Sequence, residues 1–530
     1  MDKVPDLKYR KIAAAFTVLF VFGILHTWVI FPPILRAILK SQVVLKPGTR
    51  MRDMYDALPF PLIFKVYLWH VLNPDEVMMG AKPKFQEVGP YVFEEWKTKI
   101  DQVEDLETDT IEFTAINTFI FNKTLSNGLT GDETVTVIDP LLTSLGLAIN
   151  RDREPMLPLI AAAIQEIYHK PTTAFWTGKV MDLLFNGIEV DCTSDDFNSK
   201  ATCAAFESGD VKTIVPKGDE EDKYLFALLG SSNGTSAGRF KTYRGVKNVH
   251  DLGRVIEYNE EPELDIWDGD ECNQIRGTES SIFPPFTAKE DGLWAFESNI
   301  CRSMKAKYQR PSKYRGIPTL RYALDLGDIA ADENEHCFCS NDKCPVKGTL
   351  DLFPCTEGPL IASLPHFFKG DPSLFEKIES GLEPDEEKHG IRVDFEIISG
   401  TPMSAAKRLQ FNIDLIPLEQ IDVMKNLPEM VFPLMWVEEG VDLNKTYVNM
   451  LKYQLFLRGL KFRAVVKWLT LILGPMGAVA ALFLDYQKRH ASSLQVTKVS
   501  PVKQSSKNGN VESVDPSSAS TQELNSKERY

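Results

Sequence analysis

Basic residues are outnumbered in this chain: 59 lysines and arginines stand against 74 acids, a net charge of -15. That balance excludes nucleic acid as the main partner, because holding a phosphate backbone takes a basic surface. Cysteine is sparse too, eight in 530 residues, and all eight fall between positions 192 and 355. Neither tail carries a thiol, which excludes S-palmitoylation there. The sequence has no Walker A lysine motif, no H-E-x-x-H and no G-x-G-x-x-G, so the usual phosphate, zinc-protease and dinucleotide signatures are missing. No internal repeat is visible. From about Lys488 to Tyr530 large apolar side chains are nearly absent. Such a segment cannot bury enough surface to fold and is expected to be a disordered tail.

What is present is apolar surface in quantity, 43% of residues, and two runs long enough to cross a bilayer. Ile12–Phe31 is twenty residues without a formal charge, spanning about 30 Å as a helix. Its length and the Pro32-Pro33 pair that follows fit an uncleaved helix better than a signal peptide. His26 within it reads as a packing residue rather than a proton relay. The second run, Trp468–Leu484, extends backward through Val465 and Val466, with Lys467 able to snorkel and Tyr486 at the far interface. Basic residues flank both runs on both sides, so charge counting leaves the orientation open. The N-x-S/T sites decide it. Asn122, Asn233 and Asn444 all lie between the helices, as do all the cysteines, and both features belong on the oxidising, glycosylating side. The expected organisation is a cytoplasmic tail over 1–11, a membrane helix over 12–32, an ectodomain over 33–464, a second helix over 465–486 and a cytoplasmic tail over 487–530.

Short alternating or aromatic-rich runs recur through the ectodomain between turn signals. They predict strands at Phe64–Trp69, Tyr91–Trp96, Thr110–Phe121, Tyr224–Leu229, Arg239–Tyr243, Thr319–Leu324, Val393–Ile398 and Leu409–Leu415. Glu154–Lys170 predicts a helix stopped by Pro171, and Lys179–Phe185 a further helical turn pair. The fold class expected is α+β, an antiparallel barrel or sandwich rather than a doubly wound sheet.

Chemical motifs are few. Gly234-Thr-Ser236-Ala-Gly238 fits G-x-S-x-G, but a nucleophile elbow needs a helix after the serine. Here RFKTYRG alternates like a strand, so the expected element is a glycosylated hairpin tip. Cys337, Cys339, Cys344, Cys355 and His336 invite a zinc reading, yet C-x-C spacing on the exoplasmic side favours disulfides over metal. Eight cysteines allow 105 pairings, and pattern alone does not choose among them. No catalytic residue, metal or cofactor is expected.

Several stretches together carry a resemblance: VYLWHVLNPDEV (66–77), EVGPYVFEEW (87–96), CNQIRGTESSIFPPF (272–286), ICRSM (300–304), LPHF (364–367) and AAKRLQFNIDL (405–415). With the two terminal helices they make the chain resemble the class B scavenger receptor family, fatty-acid translocases and lysosomal integral membrane proteins, over nearly its whole length. Within that family KEDGLWAF, RYALDLGDIAADE, KNLPEMVFP and WVEEGVDLNKTY resemble the insect sensory neuron membrane proteins of type 1. The resemblance implies a β-barrel ectodomain with an apical helical bundle and an internal lipid tunnel. It implies disulfides Cys272–Cys337, Cys301–Cys355 and Cys339–Cys344, leaving Cys192 and Cys203 as candidates for a fourth, local bridge. It places a lipid-entry cation at His169 or the neighbouring Lys170. By the same resemblance the partners are a hydrophobic pheromone or fatty-acid-like ligand, an odorant receptor complex, a soluble pheromone carrier protein and membrane lipid, at the dendrites of olfactory neurons.

A conduit also makes physical sense without the family. A lipid of a dozen methylenes costs roughly 10 kcal/mol to expose to water, and an apolar interior opening at the membrane removes that barrier. The alternative within the family is a general scavenger or lysosomal receptor for lipids and lipoproteins. A two-helix ligand-gated channel is the rival from another class, but Gly474, Gly477, Ala478 and Ala481 suit close helix packing better than a hydrated pore.

Overall fold

A computed structural model describes residues 7–209, 211–340 and 343–496, the side chains of Leu7, 454–458 and 492–496 excepted. The chain forms two compact units, one from its terminal helices up to Phe31 and from Phe462, the other from Pro32 to Lys461.

In the terminal unit, helix Leu7–Leu25 runs into a π-helical turn, His26–Ile30. The widened turn has a local cause. Prolines 32 and 33 lack amide hydrogens and crowd the carbonyls one turn back, so the ladder opens just before them. Phe462–Val496 is the partner helix. A Cβ on Gly474 would meet the Phe20 Cβ at 2.7 Å, and one on Gly477 the Phe16 ring at 2.4 Å, so these glycines are what lets the two helices touch. Outward side chains such as Val18, Val29, Met476 and Val479 are apolar and exposed. The apolar helical runs that can cross a bilayer are Lys8–Val43 and Gly459–Ala491. Both outrun the expected boundaries, because helical hydrogen bonding does not stop where hydrophobicity does. One expectation needs correcting: residues 487–496 are helical rather than disordered. Asp485 pairs with Arg489 one turn on at 3.0 Å, and the Tyr486 ring lies 4.7 Å from His490, both at helical spacing. The rest of the expected tail, 497–530, lies outside the described residues.

The body is built on one thirteen-stranded antiparallel sheet. In chain order its strands are β1 (Leu62–Val71), β2 (Phe85–Asp105), β3 (Thr110–Phe121), β4 (Ser236–Tyr243), β5 (Val255–Tyr258), β6 (Leu293–Glu297), β7 (Arg302–Tyr314), β8 (Ile317–Leu324), β9 (Thr349–Asp351), β10 (Leu360–Ser363), β11 (Ile391–Glu396), β12 (Thr401–Leu415) and β13 (Met430–Asp442). They neighbour one another in the order β5-β4-β3-β2-β1-β13-β12-β11-β8-β7-β6, with β10 also on β12 and β9 on β10. The two open edges, β5 and β6, are stitched by one short segment. The Val255 amide donates to the Gly277 carbonyl at 2.9 Å, and Thr278 exchanges bonds with Trp294 and Phe296 at 3.1 and 2.8 Å. Closed this way, the ring of eleven strands has no bare edge, and only the branch strand β9 has an open side. Gly277 sits at φ +87°, and a Cβ there would lie 2.2 Å from the Trp294 carbonyl. Only glycine fits the seam.

β13 went unpredicted, and the reason is Pro433. Proline in a central strand removes a ladder donor. Here Asn412 pairs with Pro433 and Phe411 with Met435, so one extra residue bulges at that point and absorbs the missing bond. Helices Pro140–Asp152, Leu157–Ile167 and Phe197–Glu207 form the helical cluster, with Asp139 and Asp196 accepting the first backbone amides of two of them. Phe197–Glu207 starts at Asp196, a helix cap, in the polar stretch between Cys192 and Cys203. The second expected helical piece is a strand ending at Lys179 followed by a π-turn, Asp182–Asn186. Leu142, Leu157, Ile160 and Ile164 pack into the same apolar cluster as Val66, Phe93, Ile413 and Phe432, so the helices sit on the sheet through a shared core.

Candidate functional site

Strand alternation puts β2 residues of one parity on one face. Tyr91 and Phe93 are buried in the core on that face, and Glu95, Lys97 and Lys99 follow at the same two-residue step. Phe93, Phe64, Glu439 and Lys407 then stand directly opposite one another across β2, β1, β13 and β12. Their charged members meet inside the barrel. The Lys97 Nζ lies 2.8 Å from Glu439 and 3.2 Å from Glu95, and the Lys407 Nζ 3.0 Å from the other Glu439 oxygen. Lys407 also pairs with Glu297 of β6. Because β6 is four strands from β12 in the sheet order, that contact crosses the lumen. The five side chains form a girdle.

Burial and accessibility differ here in an informative way. Lys97 and Lys407 lie deep among protein atoms, yet their side chains keep 30% and 34% of their surface accessible. Neither ammonium is closed off by the protein atoms around it. Phe64, opposite Glu439, Phe93, opposite Phe64, and Leu409, two residues from Lys407, are buried and apolar, so the side chains beside the girdle on that face are apolar.

The electrostatics follow from this packing. Burial disfavours the Lys97 and Lys407 ammoniums, but the carboxylates of Glu439, Glu95 and Glu297 outweigh it and hold both lysines well above their usual range. Burial also works against ionised Glu439, and the two lysines overcome it, so Glu439 stays charged. Glu95 goes the other way. Burial, then the Glu439 charge, pushes it up to about 7, and its Oε2 is buried without a hydrogen-bond partner. Next along β2, Lys99 donates to the Tyr55 carbonyl at 3.0 Å and Ser281 at 3.1 Å and sits 3.6 Å over the Tyr55 ring. Burial lowers its pKa despite Glu279.

A second cluster went unseen in the sequence. Glu87, His366 and His389 place potential ligand atoms within 4.8 Å of one another. Their hydrogen bonds decide against a metal. The Nδ1 atoms of His366 and His389 accept backbone amides of Glu383 and Asp385, each at 2.9 Å. The remaining proton of each neutral ring must then sit on Nε2, and His366 donates it to Glu87 at 2.7 Å. A metal needs a bare imidazole nitrogen, and neither ring has one free. The rings stack at 3.9 Å, Trp436 also donates to Glu87 at 2.9 Å, and burial, then His366, lowers His389 to about 4. The group is a strut.

The expected entrance residues lie elsewhere. His169 and Lys170 follow helix Leu157–Ile167, both at positive φ (52° and 65°), and their amides bond back to Glu166 and Gln165. They close the helix as a left-handed cap. Both are exposed, and His169 Nε2 lies 3.3 Å from Asp191. Neither belongs to the girdle. Asn233 and Asn444 are exposed and Asn122 half-buried; Asn444 caps helix Lys445–Leu451, and Asn122 donates to Glu94 at 2.8 Å. Ser236 opens strand β4, with no helix after it, so the nucleophile-elbow geometry is absent there. The cysteines pair as Cys192–Cys203, Cys272–Cys337, Cys301–Cys355 and Cys339–Cys344.

The CD36 family model matches residues 14–484. The sensory neuron membrane protein 1 of Anopheles gambiae is 46% identical over 507 residues, covering 94% of this chain and 91% of that protein. Its Aedes aegypti counterpart is 49% identical over 471 residues, 88% and 86% of the two chains. The Manduca sexta protein of the same name is 40% identical over 509 residues, 94% and 96% of the two. A match over nearly the whole length, with apolar helices at both ends of the chain and an antiparallel barrel between them in sequence, makes this a membrane protein that belongs to the CD36 family.

Proposed function

We propose that the protein is a receptor or co-receptor of olfactory neurons that captures hydrophobic, fatty-acid-derived pheromones and passes them through its barrel to an odorant receptor. The reading takes its cell type from the relatives' name and its mechanism from one observation. Side chains deep in the barrel keep accessible surface beside apolar walls, which is what a conduit for an amphipathic chain requires. Such a conduit spares the ligand roughly 10 kcal/mol of exposure for a dozen methylenes. Both tails are cytoplasmic in this reading, because the disulfides and the sites Asn122, Asn233 and Asn444 lie between the helices. A soluble carrier delivers the ligand at the helical end, where His169 and Lys170 offer cationic or polar contacts.

Recording from cells that express a pheromone receptor with and without this protein tests the reading. Responses to a hydrophobic ligand should become larger and faster, while a receptor for a water-soluble odorant should be unaffected. Equal enhancement of both would mean a scaffold or chaperone, and current without any partner receptor would mean a channel.

A further inference from the structure

We propose that the girdle of Glu95, Lys97, Glu297, Lys407 and Glu439 is the head-group site of the conduit, and that it selects uncharged, oxygen-bearing lipid heads over free carboxylates. This rests on the conduit reading and names its ligand class.

A site built for a fatty-acid carboxylate should present unneutralised cations. The girdle presents the opposite. Its two lysines face three glutamates within ion-pair distance, so a ligand carboxylate enters as a fourth acid. Like charges gathered in a poorly solvated interior repel strongly. Uncharged heads meet no such cost. An ammonium has three N–H donors. Among the described residues Lys97 directs two at Glu95 and Glu439, and Lys407 two at Glu297 and Glu439. One donor on each remains for an ester, aldehyde or alcohol oxygen, and each lysine keeps accessible surface through which to offer it. An alcohol can in turn donate to a girdle carboxylate. The apolar side chains beside the girdle, Phe64, Phe93 and Leu409, hold the chain.

The contact most open to manipulation is Glu297. It is the one girdle member from the far side of the lumen, and Asn299 steadies its other oxygen at 3.1 Å. Glu297→Gln keeps the shape and removes one charge, freeing Lys407 to meet an anion.

The test uses sixteen-carbon photoactivatable probes that differ only in the head: alcohol, acetate ester, carboxylate, and a plain alkane as control. Full-length protein in cell membranes is crosslinked at pH 8, and peptides from β12 and β13 are quantified by mass spectrometry. Alcohol and acetate should label at least about tenfold more than carboxylate in the parent. Glu297→Gln should shrink that gap, and Glu95→Gln should shrink it too, with mature glycans reporting that each variant folds. Equal or greater labelling by the carboxylate in the parent, or a gap unchanged in both variants, overturns the proposal while leaving the conduit intact. Failure of all four probes, alkane included, overturns the conduit itself.

Discussion

Strands β2 and β13 carry a polar cluster on each face, and the two clusters are built on different terms. On the outer face Tyr67 stacks on Trp436 at 3.7 Å, Lys65 and Arg408 both reach Glu438 at 2.6 Å, and Glu87, His366 and His389 form the strut. Arg408 also donates to the carbonyls of Glu387 and Gly390, tying the crossing segment down. Each carboxylate there, Glu438 and Glu87, accepts from two donors. Lysine accessibility is alike on the two faces, 33% at Lys65 against 30% and 34% at Lys97 and Lys407, but on the inner face Glu95 keeps an orphan carboxylate oxygen. A saturated polar cluster fixes a shape, whereas one with spare donors beside a cavity can meet a ligand. Burial alone does not separate the two; satisfaction does.

The largest expected effect tests whether the girdle depends on the disulfide ladder. Cys301 follows Glu297 by four residues and is tied to Cys355 across 54 residues. Cys301→Ser removes a crosslink worth typically about 2–5 kcal/mol and loosens the end of β6. The variant should be retained in the secretory pathway, and any that escapes should have lost head-group selectivity. Normal surface delivery with unchanged selectivity would show that β6 is held without the bridge.

The two faces should also respond to pH with opposite sign. His389 falls from its ordinary 6.5 to about 4, so between those values the unfolded chain binds the extra proton. The strut's contribution is complete above about pH 6.5 and is lost as pH falls toward 4, up to about 3 kcal/mol. Glu95 rises from 4.5 to about 7, so there the folded chain holds the extra proton. Its contribution is lost as pH climbs from 4.5 through 7, by a similar amount. Thermal unfolding across pH 4–8 checks both. His389→Asn, which keeps an acceptor for the Asp385 amide, should flatten the acid limb. Glu95→Gln should flatten the neutral-to-alkaline limb. Limbs that survive their own substitution would assign the titrations elsewhere.

The two clusters also explain what the sequence revealed. Thr110–Phe121 reads as a strand at its observed bounds because apolar residues and turn signals coincide there. β13 does not, because Pro433 argues against a central strand and the compensating bulge is set by β12. The strut is invisible because Glu87, His366 and His389 are far apart in the chain and meet only through folding. The girdle is hidden differently. Glu95, Lys97 and Lys407 look like solvent-facing positions of ordinary alternating strands. The available signal was parity: Glu95 and Lys97 share the face of Tyr91 and Phe93, the face an open sheet would keep dry. Charges on that face point to a lumen.

The smallest expected effect concerns His169 and Lys170, exposed residues that cap a helix and contrast with both buried clusters. Changing both to glutamine removes positive charge but leaves two non-glycine residues at positive φ, so the backbone cost is unchanged. The double change breaks the pairing of His169 with Asp191, which lies at the surface, where ion pairs contribute little. Stability of the ectodomain should therefore move by less than about 1 kcal/mol. In the entry role proposed for them, these residues should affect the rate at which carrier-delivered lipid is taken up, leaving the head-group preference proposed for the girdle unchanged. Slower uptake with the same selectivity would separate entry from recognition. A change in selectivity with unchanged uptake would move recognition to the helical end and remove the functional contrast between the girdle and the rest of the polar surface.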